Sequence, residues 1–136
     1  MISKLYKPFL ICALISAPST AAWAFSGDAS CTLRERCFIA KACEEMNQDG
    51  LVRISVSGNS ATLSLGPQTL PMTLIAEHQG VKSWAVHDPK HFSTGVVTLE
   101  PDGAMRIASH DLSHDAMGDF SLFAQCALDA KGKKKG

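Results

Sequence analysis

From Leu51 to Cys126 apolar residues return at every second position in short runs. A period of two is the signature of strands that bury one face of an antiparallel sheet, and it leaves little room for helix. "LVRISVS" sets Val52, Ile54 and Val56 on one face and Arg53 and Ser55 on the other, "ATLSL" aligns Ala61, Leu63 and Leu65, and "TLPMTLIA" aligns Leu70, Met72 and Leu74. Turn signals separate the runs: Gly58-Asn59, Gly66-Pro67, Gln79-Gly80 before "VKSWAVH", and Pro101-Asp102-Gly103 between "GVVTLE" and "AMRIASH". The closing run "DFSLFAQC" puts Phe120, Leu122, Ala124 and Cys126 together. With the opening "CTLRER" this predicts about eight strands. Such a meander covers its apolar face by closing on itself or by packing as two layers, so the expected fold is all-β, a small antiparallel barrel or sandwich. Pro71 falls on the outward phase and has no N–H to give a ladder, which predicts an edge strand or a bulge there. Phe38 to Met46 is the one helix candidate, or else a loop held by its cysteines.

The amino terminus has a different character. Lys4 and Lys7 precede the apolar stretch "FLICALISA", and Ala22-Trp23-Ala24 supplies the small residues of a cleavage site. Residues 1–24 therefore read as a signal peptide, too short in its apolar part for a retained anchor, and the expected product is periplasmic or secreted. Removal of Cys12 leaves Cys31, Cys37, Cys43 and Cys126. An even cysteine count in a short exported chain is the mark of a disulfide framework, and without C-x-x-C there is no thioredoxin-like motif. Cys31 shares its phase with Leu33, and Cys126 shares its own with Leu122. Of the three possible pairings this parity favours Cys31 with Cys126, leaving Cys37 and Cys43 to close a short loop.

Residues 25–130 form one expected domain, followed by a Lys-rich, disordered tail at 131–136. The full chain balances 13 basic against 13 acidic side chains, but two lysines leave with the signal and four lie in the tail. The domain is accordingly acidic, which argues against nucleic-acid binding.

The layout of C-x5-C-x5-C (Cys31, Cys37, Cys43), "VVTLEPDGAMRIASH" and a final strand ending in "AQC" resembles a group of small exported bacterial β-proteins of unknown function. A leucine-rich strand, a P-D-G turn and a G-T-C type ending recur in that group. Gln125 departs from the ending, and "DLSHDAMGD" lengthens the last hairpin. The resemblance implies fold and export, and assigns no catalytic residue.

Candidate chemistry lies in the histidines. "SHDLSHD" repeats His110-Asp111 as His114-Asp115, and "VHDPKHF" carries His87 and His91. Four imidazoles from two facing loops would suit zinc or copper. Against this, Asp88-Pro89 breaks any helix, and Ser and Asp in such loops serve as turn formers, so a long hairpin loop is the expected role of the repeat. His78 in "AEHQG" reads as a turn residue. "EEMNQDG" places Glu45, Asn47, Asp49 and Gly50 near calcium-loop offsets but has Val56 where the bidentate glutamate belongs, so it too reads as a turn. No G-x-S-x-G and no spaced carboxylate pair supports an enzyme, and a hydrolase would need a cleft with a nucleophile beside a base. Trp84 with Phe92 and Phe123 is a candidate aromatic patch, but the expected place of Trp84 is the core, and Phe123, on the outward phase, is the better surface candidate. The expected function is non-catalytic binding of a protein, a cell-wall component or a small ligand, without cofactor. The alternatives are a transition-metal protein using His87, His91, His110 and His114, or an inhibitor of a secreted enzyme. For the last, "SWAVHDPKHFSTG" lacks the S-G-A-K-Y type loop of the lysozyme-inhibitor barrels.

Overall fold

The structure, a computed structural model, describes residues 25–39, 41–113 and 119–128. Its eight strands are β1 (Gly27–Phe38), β2 (Glu44–Ser57), β3 (Ser60–Leu65), β4 (Gln68–His78), β5 (Val81–Asp88), β6 (Ser93–Leu99), β7 (Ala104–Asp111) and β8 (Phe120–Cys126). Each pairs antiparallel with the next, and β8 pairs with β1, so the meander closes into a barrel and is not a sandwich.

The turns follow from residue chemistry. Gln79 and Gly80 both take positive φ, 50° and 81°, as a two-residue hairpin of type I′ requires. Between β6 and β7 the Gly103 N–H donates to the Glu100 carbonyl at 3.0 Å, and the Glu100 N–H donates to Ala104 at 2.9 Å. Gly103 has φ 91°, and a Cβ there would run into the Cys126 carbonyl oxygen. The Cys126 N–H in turn donates to the Gly103 carbonyl at 2.8 Å, which fixes this turn against the end of β8.

The alternating residues fill the interior as the period of two predicts. Val52, Ile54 and Val56 of β2, Trp84 of β5, Val97 and Leu99 of β6 and Met105 of β7 are all buried. An eight-stranded barrel is only wide enough for its own side chains or one small ligand. Trp84, 1% exposed, supplies much of the filling. Its indole N–H has no acceptor among the described residues, a cost of about 1–3 kcal/mol that packing must offset.

Cys31 and Cys126 face each other in the β1–β8 ladder, both buried, and are disulfide-bonded across a separation of 95 residues. Cys37 and Cys43 are bonded across the β1–β2 turn. The pairing read from parity is the one found. Two disulfide bonds, Cys31–Cys126 buried and Cys37–Cys43 nearer the surface, fit an oxidising, non-cytoplasmic environment. Among the described residues no helix is long and apolar enough to cross a membrane.

Three local expectations are corrected. Of the two readings of Phe38 to Met46 the helix fails and the loop held by cysteines stands: β1 ends at Phe38, β2 starts at Glu44, and the Cys37–Cys43 bond closes the connection between them. "EEMNQDG" is the first half of β2 and not a turn: Glu44, Glu45, Gln48 and Asp49 pair with β1. Cross-strand contacts hold it there, with Arg36 Nη2 2.8 Å from Glu44 Oε2, Arg34 donating to Asn47 and Thr32 to Asp49. Pro71 lies neither on an edge nor in a bulge. It pairs with Thr62 of β3, and the β4–β5 ladder begins one residue later at Met72, so the missing N–H costs no bond to β5. The bulge of β4 comes instead between Leu74 and Ala76.

Candidate functional site

In an up-and-down meander the connections alternate between ends. Those after β1, β3, β5 and β7 share one end of the barrel, and those after β2, β4 and β6 share the other. The second end is plugged by Trp84, Leu99, Met105 and the Cys31–Cys126 bond. At the first end the inward positions become small or polar, and a cup of about 320 Å³ opens. Leu63, Leu65, Leu70, Val86, Ile107 and Phe120 give it apolar walls, and its polar lining includes Gln68, Asp88, His91, Ser109 and Asp111. Gly95 of β6 sits at an inward, buried position on the same wall. A Cβ at Gly95 would come within 2.5 Å of the Ala108 carbonyl oxygen, so the close β6–β7 approach excludes a side chain and leaves room for the cup.

Asp88 organises one side of the mouth. Its Oδ1 accepts the backbone N–H groups of Lys90 and His91, at 3.1 and 3.3 Å. Its Oδ2 is 2.8 Å from Gln68 Nε2 of β4 and 2.7 Å from His91 Nδ1. Burial works to raise this carboxyl, but the hydrogen bonds of the His91 side chain, Gln68 and the His91 backbone outweigh it and hold it below the ordinary value. The turn that follows is pinned by the Leu112 N–H, which donates to the carbonyl of Phe92, a residue at φ 49°.

A second acidic group, Asp111 of β7, stands at the same level two strands away, because Ser93 of β6 pairs with both Asp88 and Asp111. Asp111 Oδ1 accepts both the N–H and the hydroxyl of Ser113, at 2.8 and 2.5 Å, and these bonds lower its pKa. The Asp111 N–H donates to Asp119 Oδ1 at 2.7 Å, and Asp119 Oδ2 is 3.2 Å from His110 Nδ1. Those two bonds, the backbone one first, hold Asp119 below its ordinary value.

Of the histidines singled out from the sequence, His87, His91 and His110 share this end but not one site. His87 Nδ1 is 3.1 Å from the Ser93 carbonyl, His91 serves Asp88, and His110 serves Asp119. His114 lies outside the described residues, as do Asp115 and the tail at 131–136. His110 belongs to β7 and is not in a loop, and Asp111 forms the local turn with Ser113 that the repeat suggested. Among the described residues, one set of three His, Cys, Asp or Glu donor atoms lies within 4.8 Å of one another: Glu35, Cys37 and Cys43. Its two sulfurs are joined to each other. No Ser, Thr or Cys side chain is hydrogen-bonded to an imidazole among the described residues.

The aromatic trio is dispersed. Trp84 is in the core, Phe92 is exposed on the β5–β6 turn, and Phe123 faces outward from β8 beside Arg106. Sequence reasoning missed Gln68, Ser109 and Gly95. Their one signal was polar or small residues at inward phases near strand ends, and the register needed to bring them to one level is not written in any single strand. No protein-family model, curated protein or solved structure matches this chain.

Proposed function

We propose that the chain is exported through residues 1–24 and acts in the periplasm or outside the cell as a non-catalytic binding protein, taking a small, largely apolar ligand into the barrel mouth. The observation that carries this reading is the cup itself. Its volume of about 320 Å³ falls within the range of small-molecule sites, and it joins apolar walls to a few convergent polar groups. The disulfide across the barrel seam supports export, because buried cystines persist in oxidising compartments.

Hexan-1-ol, a neutral probe, is titrated into the mature oxidised protein while the methyl resonances of Leu63, Val86 and Ile107 are followed by NMR. Saturable shifts at these methyls, with none at Val56 near the plugged end, are expected. Leu70→Phe fills the wall and is expected to abolish the shifts while the remaining spectrum stays native. Shifts spread evenly over the protein, or unaffected by Leu70→Phe, would overturn the reading. Export is checked separately, by an intact mass of secreted protein that begins at Phe25.

A further inference from the structure

We infer that the ligand of the cup is a cation of amphipathic build: an apolar body with an ammonium head that rests against Asp111 at the mouth. This deepens the binding reading above and depends on it.

The charges lining the cup are of one sign. Asp88 of β5 and Asp111 of β7 line it, and no lysine or arginine does. The two carboxylates differ in what they have left to offer. Asp88 already receives four donors, two on each oxygen, so it contributes its field and holds the turn. Asp111 receives both of its bonds from Ser113 on Oδ1, and among the described residues no donor is placed on Oδ2. Asp119, bonded to the Asp111 N–H, adds a third negative charge behind it. Of the basic side chains at this end, His91 and His110 are each hydrogen-bonded to a carboxylate, and His87 and Lys90 are exposed and do not line the cup. Below the carboxylates the walls are apolar, so the favourable pose runs from a charged head at the rim to an alkyl or aryl body against Leu70, Val86 and Ile107. A ligand carboxylate in that pose would meet like charge. A neutral ligand would gain only the apolar contact.

Three probes of equal length separate these cases: hexan-1-amine, hexan-1-ol and hexanoate, each titrated into the mature oxidised protein at pH 7 and low salt with the Val86 and Ile107 methyls as reporters. The amine is expected to bind at least about tenfold more tightly than the alcohol, and hexanoate more weakly than the alcohol; a tenfold step is the size of one charge-assisted hydrogen bond. Raising the salt should weaken the amine and leave the alcohol unchanged. Asp111→Asn retains an oxygen for Ser113 and should bring the amine down to the affinity of the alcohol. Equal binding of amine and alcohol to the native protein overturns this inference while leaving the cup as a binding site. A preference for amine that survives both salt and Asp111→Asn also overturns it. If none of the three shifts the reporters, the inference falls together with the binding reading.

Discussion

At Gly103 the backbone demands a residue without a side chain twice over, once through its positive φ and once through the Cys126 carbonyl that a Cβ would strike. Gly103→Ala is expected to cost about 2–3 kcal/mol, the sum of a left-handed penalty and an overpacking term, read as a lower urea midpoint with an unchanged m-value. Asp88 makes a different demand, because four donors are arranged for an ionised acceptor. Asp88→Asn is expected to cost about 1–3 kcal/mol at pH 7. The pH dependence follows from the sign of the shift. The folded state binds a proton at Asp88 less readily than the unfolded chain, whose carboxyl titrates near the ordinary 3.8. The stabilisation is therefore complete above that value and is lost as pH falls through it toward the lowered folded value. Urea melts at stepped pH should show wild type losing stability below about pH 4 more steeply than Asp88→Asn. The sequence displayed "VHDPKHF" as a spaced histidine pair. That Asp88 is its centre was not legible there, since one of its partners, Gln68, comes from β4.

Among the elements, β2 shows where reading by period succeeds and where it stops. Val52, Ile54 and Val56 alternate because one face is buried, and the pattern finds them. From Glu44 to Gly50 the strand is bonded to β1 alone, because the β2–β3 ladder begins at Val52 with Leu65. Met46 alone of this segment packs against the core, and its neighbours are exposed, so burial writes no alternation and the segment looks like a turn. The same absence let "FIAKACEEM" pass for a helix, although Ile39 is exposed. An open edge invites pairing with another chain, and here Glu44, Glu45 and Asp49 guard it with like charges. Hydrogen exchange should separate the two halves of β2: the amides of Glu44 to Gly50 that face away from β1 are expected to exchange at least about tenfold faster than those of Ile54 and Val56.

For the whole barrel, the sequence carried the strand count, the inward phases and the cystine pairing. It did not carry closure or the cup, because both depend on how far each strand is staggered against the next. Closure rests on the β1–β8 ladder, the one ladder here between strands distant in sequence. Chain-entropy reasoning gives about 4–5 kcal/mol for the Cys31–Cys126 loop and about 2 for the Cys37–Cys43 loop. A small domain has only about 5–15 kcal/mol in total. Replacing Cys31 and Cys126 together by Ala should therefore lower the urea-derived stability about twice as far as replacing Cys37 and Cys43. The Cys31–Cys126 bond has one more consequence. Between those two residues the main chain is a covalent ring, so a protease that nicks any single hairpin inside it opens the circle without releasing a fragment, and the wounded molecule stays in one piece until a reductant arrives.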